Sequence, residues 1–151
     1  MEASQLFYDK LVQFEGLKLT AYKDSAAIWT IGIGTIKYPD GTPVKKGDTC
    51  TTEQAYEYAK HDSLTMQREL NAMVKNVNQN QFDALLLLAY NIGTTGLRNS
   101  TVLKRVKNNP ADPLIKDAWV MWNKAKVNGV MTAIPGLTNR RVAEYTLYVS
   151  K

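Results

Sequence analysis

Residues 18–44 read KLTAYKDSAAIWTIGIGTIKYPDGTPV, and this stretch decides the fold class. Tyr22, Trp29, Ile31, Ile33 and Ile36 are mixed with threonine and glycine, and the segment holds the turn signal Pro39-Asp40-Gly41. β-Branched and aromatic residues suit a pleated, half-buried surface, so the segment predicts short strands and hairpins. Gly32 and Gly34 inside such a run predict a tight bend or a close approach of backbone. On the N-terminal side, Phe7, Leu11 and Phe14 recur at spacings of four and three. That pattern predicts a helix over 4–14, capped by Ser4 and ended by Gly16.

Beyond Gly47 the texture is helical. Thr51-Thr52-Glu53-Gln54 offers a capping box in which Thr51 caps and Gln54 reaches back. The helix it opens extends to about Val74, with Ala55, Ala59, Met66, Leu70 and Met73 toward a core. Asn78 and Gln81 mark a second start, and the helix from Gln79 to Tyr90 is apolar on nearly all sides, which predicts a buried central helix. Ser100 caps a short helix carrying Val102, Leu103 and Val106. Asp112-Pro113 begins another, holding Trp119 and Trp122, assigned to core packing with sugar stacking as the alternative. Asn128-Gly129 and Pro135-Gly136 bracket an expected loop, and a last helix covers about Thr138 to Val149. Helix, small β region, then five or more helices is an α+β arrangement with a segregated β lobe. The long helix from Thr52 is expected to join the lobes, and a cleft between them is a natural ligand site.

Composition narrows the function. The chain has 151 residues, 44% of them hydrophobic and 22% charged, which excludes disorder and suits one core. No apolar run approaches the ~18 residues of a membrane span. The first residues show no export segment or signal anchor. One cysteine, Cys50, excludes an internal disulfide, and one histidine, His61, excludes a His-pair zinc site. No metal or other cofactor is expected. His61 reads as a surface residue and Cys50 as an unreactive thiol. The net charge of +5 favours a polyanionic partner: nucleic acid, anionic lipid or acidic cell-wall polymer. The basic pairs Lys45-Lys46 and Arg140-Arg141 read as solvated faces.

Three residues suggest chemistry. Glu15 sits at the end of the first helix, Asp24 in the polar stretch Lys23-Asp24-Ser25, and Thr30 on the expected strand. A carboxyl at a helix C-terminus faces the negative end of the macrodipole, and Phe14 and Leu17 add an apolar setting; both favour the protonated form. Asp24, in a polar turn, should stay ionised. Two carboxyls held in opposite protonation states are what glycosidic cleavage requires, and a threonine hydroxyl can hold the water.

The spacing Glu15, eight residues, Asp24, five residues, Thr30 resembles the signature of the phage-type lysozymes, the endolysins of glycoside hydrolase family 24. Further stretches agree in order. They are Phe14-Glu15-Gly16 with Ala21-Tyr22, Thr30-Ile31-Gly32-Ile33-Gly34, Gln81-Phe82-Asp83-Ala84-Leu85 leading to Tyr90-Asn91-Ile92-Gly93, Ser100-Thr101-Val102-Leu103, and Gly136 to Glu144. The resemblance runs from about Leu11 to Tyr148. It implies a lysozyme-like α+β fold forming a single catalytic domain over 1–151. A small β-hairpin lobe would cover about 17–48 and a helical lobe about 52–151 plus the first helix, with the active-site cleft between them. It implies a muramidase that cleaves the β-1,4 bond between N-acetylmuramic acid and N-acetylglucosamine. Glu15 would be the general acid, and Asp24 and Thr30 would activate water, with inversion of configuration. In that geometry the carboxyls stand roughly 6.5–9.5 Å apart. By the same resemblance Ile36, Tyr90 and Ser100 contact the glycan, although each also reads as a core or cap residue.

Two departures stand out. Thr35 occupies a position where the family often has a histidine that makes a structural ion pair. The family tends to place a C-terminal arginine near its catalytic glutamate, and Arg140 and Arg141 are both candidates; such a pair favours the charged glutamate and opposes the helix-end effect. The expected biology is a monomer with peptidoglycan strands as its partner, without nucleic acid or stable membrane insertion. It would accumulate in the host cytoplasm until a holin opens the inner membrane. A lytic transglycosylase needs only the acid, so Asp24 and Thr30 together favour hydrolysis. A nucleic-acid-binding domain is disfavoured because acidic residues are interleaved with the basic ones and no binding motif is present.

Overall fold

Helix starts in this chain are written by polar side chains that satisfy the first free backbone N–H groups. A computed structural model describes all of residues 1–151. Helix α1 spans Gln5–Glu15, strands β1 and β2 span Lys18–Lys23 and Trp29–Gly32, and α2 spans Thr52–Met73. Then come α3 (Gln79–Ile92), α4 (Thr94–Arg98), α5 (Thr101–Asn108), α6 (Ile115–Val120), β3 (Lys124–Val127), β4 (Val130–Ala133) and α7 (Pro135–Tyr148). The expected boxes are present. Gln54 N–H donates to Thr51 Oγ1 at 3.1 Å, and Thr51 N–H donates to Gln54 Oε1 at 2.9 Å. Asn78 and Gln81 do the same at α3, and Ser100 Oγ accepts from Leu103 N–H at α5. No helix is long and apolar enough to cross a membrane.

Backbone contacts divide the chain into two compact units, Gln5–Thr65 and Met1–Ser4 with Met66–Lys151. In the Gln5–Thr65 unit, β1 and β2 form an antiparallel hairpin with Tyr22 opposite Thr30 and Lys23 opposite Trp29. The expected turn at Pro39-Asp40-Gly41 closes through Gly41 N–H to Tyr38 O. Gly32 marks a close approach. It has φ +65°, and a Cβ there would lie 3.2 Å from Ala55 Cβ and 3.3 Å from its Cα, so only glycine lets the strand sit against α2. Thr35 stands in place of the family's histidine and is fully buried; its hydroxyl donates to Asp62 Oδ2 at 2.7 Å. This hydroxyl-to-carboxylate hydrogen bond ties the strand region to α2.

In the Met66–Lys151 unit, α3 is buried from Phe82 through Ala89 and packs chiefly against α7. Asp83 is fully buried on this helix. It accepts from the Ser4 N–H at 3.1 Å, from the Ser4 hydroxyl and from Gln79 Nε2. The N–H and the hydroxyl of Ser4 thus both donate to Asp83. Three expectations are corrected. The helix expected at Asp112-Pro113 begins at Ile115, because Asp112 Oδ1 accepts from Leu114 N–H and shapes a preceding turn. The expected loop between Asn128-Gly129 and Pro135-Gly136 instead holds β4, which pairs with β3 in a hairpin whose two-residue turn is Asn128 at φ +51° and Gly129 at φ +80°. Helix α7 begins at Pro135, where proline at the first turn costs no hydrogen bond.

The last correction concerns Arg140 and Arg141, which are buried rather than solvated. Both converge on Glu144, itself fully buried. Arg140 Nε reaches Glu144 Oε2 at 3.0 Å, and Arg141 Nε reaches Glu144 Oε1 at 3.0 Å. Trp119 Nε1 donates to the same carboxylate at 3.0 Å, and Arg140 also donates to Leu87 O. Burial holds the Glu144 carboxyl above its ordinary value, while Arg141, Arg140 and the Trp119 N–H pull it down. Removing one partner of such a cluster leaves buried charge uncompensated. Glu144→Gln is expected to cost about 3–5 kcal/mol of stability in urea unfolding. A wild-type midpoint would contradict that role.

Candidate active site

The three residues expected to carry chemistry all lie in the Gln5–Thr65 unit. Glu15 is the last residue of α1, half-buried, and Gly16 N–H closes the helix on Val12 O at 2.8 Å. Asp24 follows β1 and builds the turn to β2. Its Oδ1 accepts from Ala26 N–H at 2.8 Å and from Ile28 N–H at 2.9 Å. Its own N–H donates to Ile28 O at 3.0 Å, and its carbonyl accepts from Ala27 N–H, with Ala27 held at φ +62°. Lys23 Nζ lies 5.4 Å from the Trp29 ring and helps close the turn. Thr30 is 3% exposed, and its hydroxyl donates to Ile28 O at 2.9 Å.

Ile28 therefore joins two of the candidates through its backbone alone. Its N–H goes to the Asp24 carboxylate, and its carbonyl takes protons from both the Asp24 N–H and the Thr30 hydroxyl. This fixes the direction in which Thr30 can act. With its single proton committed, the hydroxyl offers only lone pairs to a further partner. On Asp24 the backbone donors use Oδ1 and leave Oδ2.

Tyr22 feels the charge of both Glu15 and Asp24. It is half-buried on β1 opposite Thr30. Burial pushes its phenol above the ordinary value, and the negative charges of Glu15 and then Asp24 push it further. The ring thus lies within the field of both carboxylates. Tyr22 and Ile28 were missed as site components. The signal for Tyr22 was its register: an Asp24–Ile28 turn places residue 22 across from residue 30.

Of the expected glycan contacts, Ile36 belongs to the Gln5–Thr65 unit and Tyr90 and Ser100 to the other. Ile36 is exposed, and its carbonyl accepts from Val44 N–H. Tyr90 is half-buried near the end of α3. Ser100 is 7% exposed; its hydroxyl donates to Leu97 O at 2.6 Å and accepts from Leu103 N–H at 3.0 Å, so it is a helix cap. Of the remaining residues, His61 is exposed, and burial raises the Cys50 thiol above its ordinary value, both as expected. Trp119 is core, whereas Trp122 is partly exposed.

Known proteins resemble the chain over most of its length. A profile of the phage lysozyme family matches residues 12–144. The chain belongs to the phage lysozyme family. It is 40% identical over 140 residues to an endolysin of Acyrthosiphon pisum secondary endosymbiont phage 1, covering 91% of each chain. Among solved structures it is similar to an endolysin from Escherichia coli O157:H7 phage FAHEc1, at 41% identity and a TM-score of 0.92, covering 99% of this chain and 94% of that one. It is also similar to the muramidase domain of SpmX from Asticaccaulis excentricus, at 28% identity and a TM-score of 0.87, covering 99% of both. The α+β architecture is that of the phage lysozymes, and the chain is a glycoside hydrolase.

The two duties of Asp24 can be separated by substitution. Asp24→Asn keeps an oxygen for the Ala26 and Ile28 N–H groups and removes the charge, whereas Asp24→Ala removes both. Thermal unfolding is expected to leave Asp24→Asn near wild type and to lower Asp24→Ala by about 1–2 kcal/mol. Both should lose most turnover in a cell-wall turbidity assay. An Asp24→Ala protein melting with wild type would contradict the turn-forming role.

Proposed function

We propose that this endolysin hydrolyses the β-1,4 bond between N-acetylmuramic acid and N-acetylglucosamine in bacterial peptidoglycan, with Glu15, Asp24 and Thr30 carrying the reaction. Glu15 gives its carboxyl proton to the glycosidic oxygen as the bond to the anomeric carbon breaks. A water donates one hydrogen bond to Asp24 Oδ2 and one to the Thr30 Oγ lone pair, which leaves a water lone pair for the anomeric carbon. Asp24 accepts the proton released on attack. The observation that carries this reading is the commitment of the Thr30 proton to Ile28 O, because it makes the hydroxyl an acceptor beside the Asp24 carboxylate. Attack from the face opposite the leaving group inverts configuration. Ile36, Tyr90 and Ser100 are proposed as glycan contacts, supported by the family resemblance and, for Ile36, by its exposure.

We also propose that the enzyme acts as a monomer, is held in the host cytoplasm and reaches the periplasmic wall once a holin opens the inner membrane. Its net charge of +5 suits docking to an anionic wall.

One experiment tests both parts. Wild type and Glu15→Gln are expressed in a Gram-negative host, and culture turbidity is followed before and after the inner membrane is permeabilised. Wild type should clear the culture only after permeabilisation. Glu15→Gln should lose ~10³-fold in rate on purified peptidoglycan, within the range of a lost general acid, while melting near wild type. An active Glu15→Gln protein would remove Glu15 from the mechanism, and clearing before permeabilisation would contradict the holin route.

A further inference from the structure

The three most exposed large apolar side chains of the protein are Met121 at 68%, Val130 at 65% and Met131 at 57%. All three lie in or just before the β3–β4 hairpin, and Val127 of β3 is exposed with them. The two strands pair only with each other, and every residue of β4 is exposed. The hairpin therefore gives little of its apolar surface to the core. Apolar groups left in water forgo the free energy of burial, and a cluster of them marks an interaction surface.

Charge says what covers it. No acidic residue occurs between Asp117 and Glu144, whereas Lys124 and Lys126 are both exposed on β3. Arg105 of α5 lies beside Lys124, and Lys104 and Lys107 flank Arg105, with Asp112 and Asp117 as the carboxylates nearby. Strand register sets the order of the groups along the hairpin. Val127 pairs with Val130 next to the turn, Lys126 pairs with Met131 one step back, and Lys124 pairs with Ala133 at the base. At about 3.4 Å per residue, Lys124 stands ~10 Å behind the valine pair. An apolar tip with cations set behind it repeats the layering of a bilayer, acyl chains first and phosphates above them.

We propose that the β3–β4 hairpin docks the protein on an anionic phospholipid bilayer, with Val127 and Val130 at the acyl boundary and Lys124 and Lys126 on lipid phosphates. The ~10 Å between valines and Lys124 matches the roughly 5–10 Å to which interfacial elements bury their apolar side. Lysine stems lie along the apolar layer while their ammonium groups stay at the phosphates. Nucleic acid would match the lysines but leave the valine pair in water, whereas a bilayer takes both. Docking of this kind is peripheral and salt-reversible, and it needs no membrane-crossing helix. On the proposed release route it holds the enzyme at the membrane that the holin opens. The docking itself does not depend on catalysis, so the two readings fail separately.

The test is cosedimentation with phosphatidylcholine vesicles, with and without about 30% phosphatidylglycerol, alongside a melting curve for each protein. Wild type is expected to bind the anionic vesicles at least about tenfold more tightly than the neutral ones and to be released in about 0.5 M salt. Val127→Ser combined with Val130→Ser should weaken binding about tenfold. Lys126→Glu should weaken it about 30-fold, since each unit of charge near the surface is worth about fivefold, and Lys126→Arg should bind as wild type does. These positions are exposed, so all three variants should melt near wild type. Equal binding to neutral and anionic vesicles, or none to either, would overturn the proposal. So would a serine pair that binds as tightly as wild type, because charge alone would then make the contact. Wild type that binds a DNA duplex more tightly than the anionic vesicles would assign the surface to nucleic acid instead.

Discussion

One oxygen of Asp24 accepts two backbone N–H groups, from Ala26 and Ile28, and the proposed catalytic arrangement depends on that pair of bonds. They close a tight turn that holds Ala27 in the left-handed region. With Ile28 fixed, its carbonyl becomes the acceptor that orients Thr30, and Tyr22 falls opposite Thr30 in register. The side chain proposed to activate water is therefore the same one that folds the loop around it. Catalytic geometry of this kind is preorganised by local structure and needs no rearrangement to place its acceptors.

Three buried polar groups elsewhere are also held by specific partners. Asp83 holds the N-terminal Ser4 and Gln79, Thr35 holds Asp62, and Glu144 holds two guanidinium groups and an indole N–H. The apolar surface of α3 supplies burial but little direction, because a leucine-rich helix fits many rotations. The polar contacts supply direction: Asp83 fixes where the chain start meets α3, and Glu144 fixes α7 against Trp119 of α6. Cost and specificity are linked here, since each group is expensive if its partner is lost.

What the sequence revealed was what short-range chemistry determines. The Thr51–Gln54 and Asn78–Gln81 boxes and the Ser100 cap are local, and they were read correctly from spacing. The alternation of Trp29, Ile31 and Ile33 with Thr30 and Gly32 announced β2. The β3–β4 hairpin escaped because most of its residues are exposed, so no half-buried alternation marks it, although Asn128-Gly129 is a strong turn signal. The Arg140-Arg141 pair was misread because the carboxylate it meets, Glu144, is close in sequence, whereas Trp119 and Leu87, which show that the cluster is buried, are distant. The candidate trio was legible from its spacing, whereas Ile28 contributes only backbone atoms and leaves no side-chain signature.

The mechanism's central claim is that water, held by Asp24 and Thr30, attacks the anomeric carbon directly. Proton NMR of the reducing end formed in the first moments of hydrolysis tests it, before the anomers equilibrate. Direct attack yields the α-anomer first, and that is the result expected here. Initial accumulation of the β-anomer would mean retention through a second displacement, and would contradict the role given to the Asp24 carboxylate and the Thr30 hydroxyl.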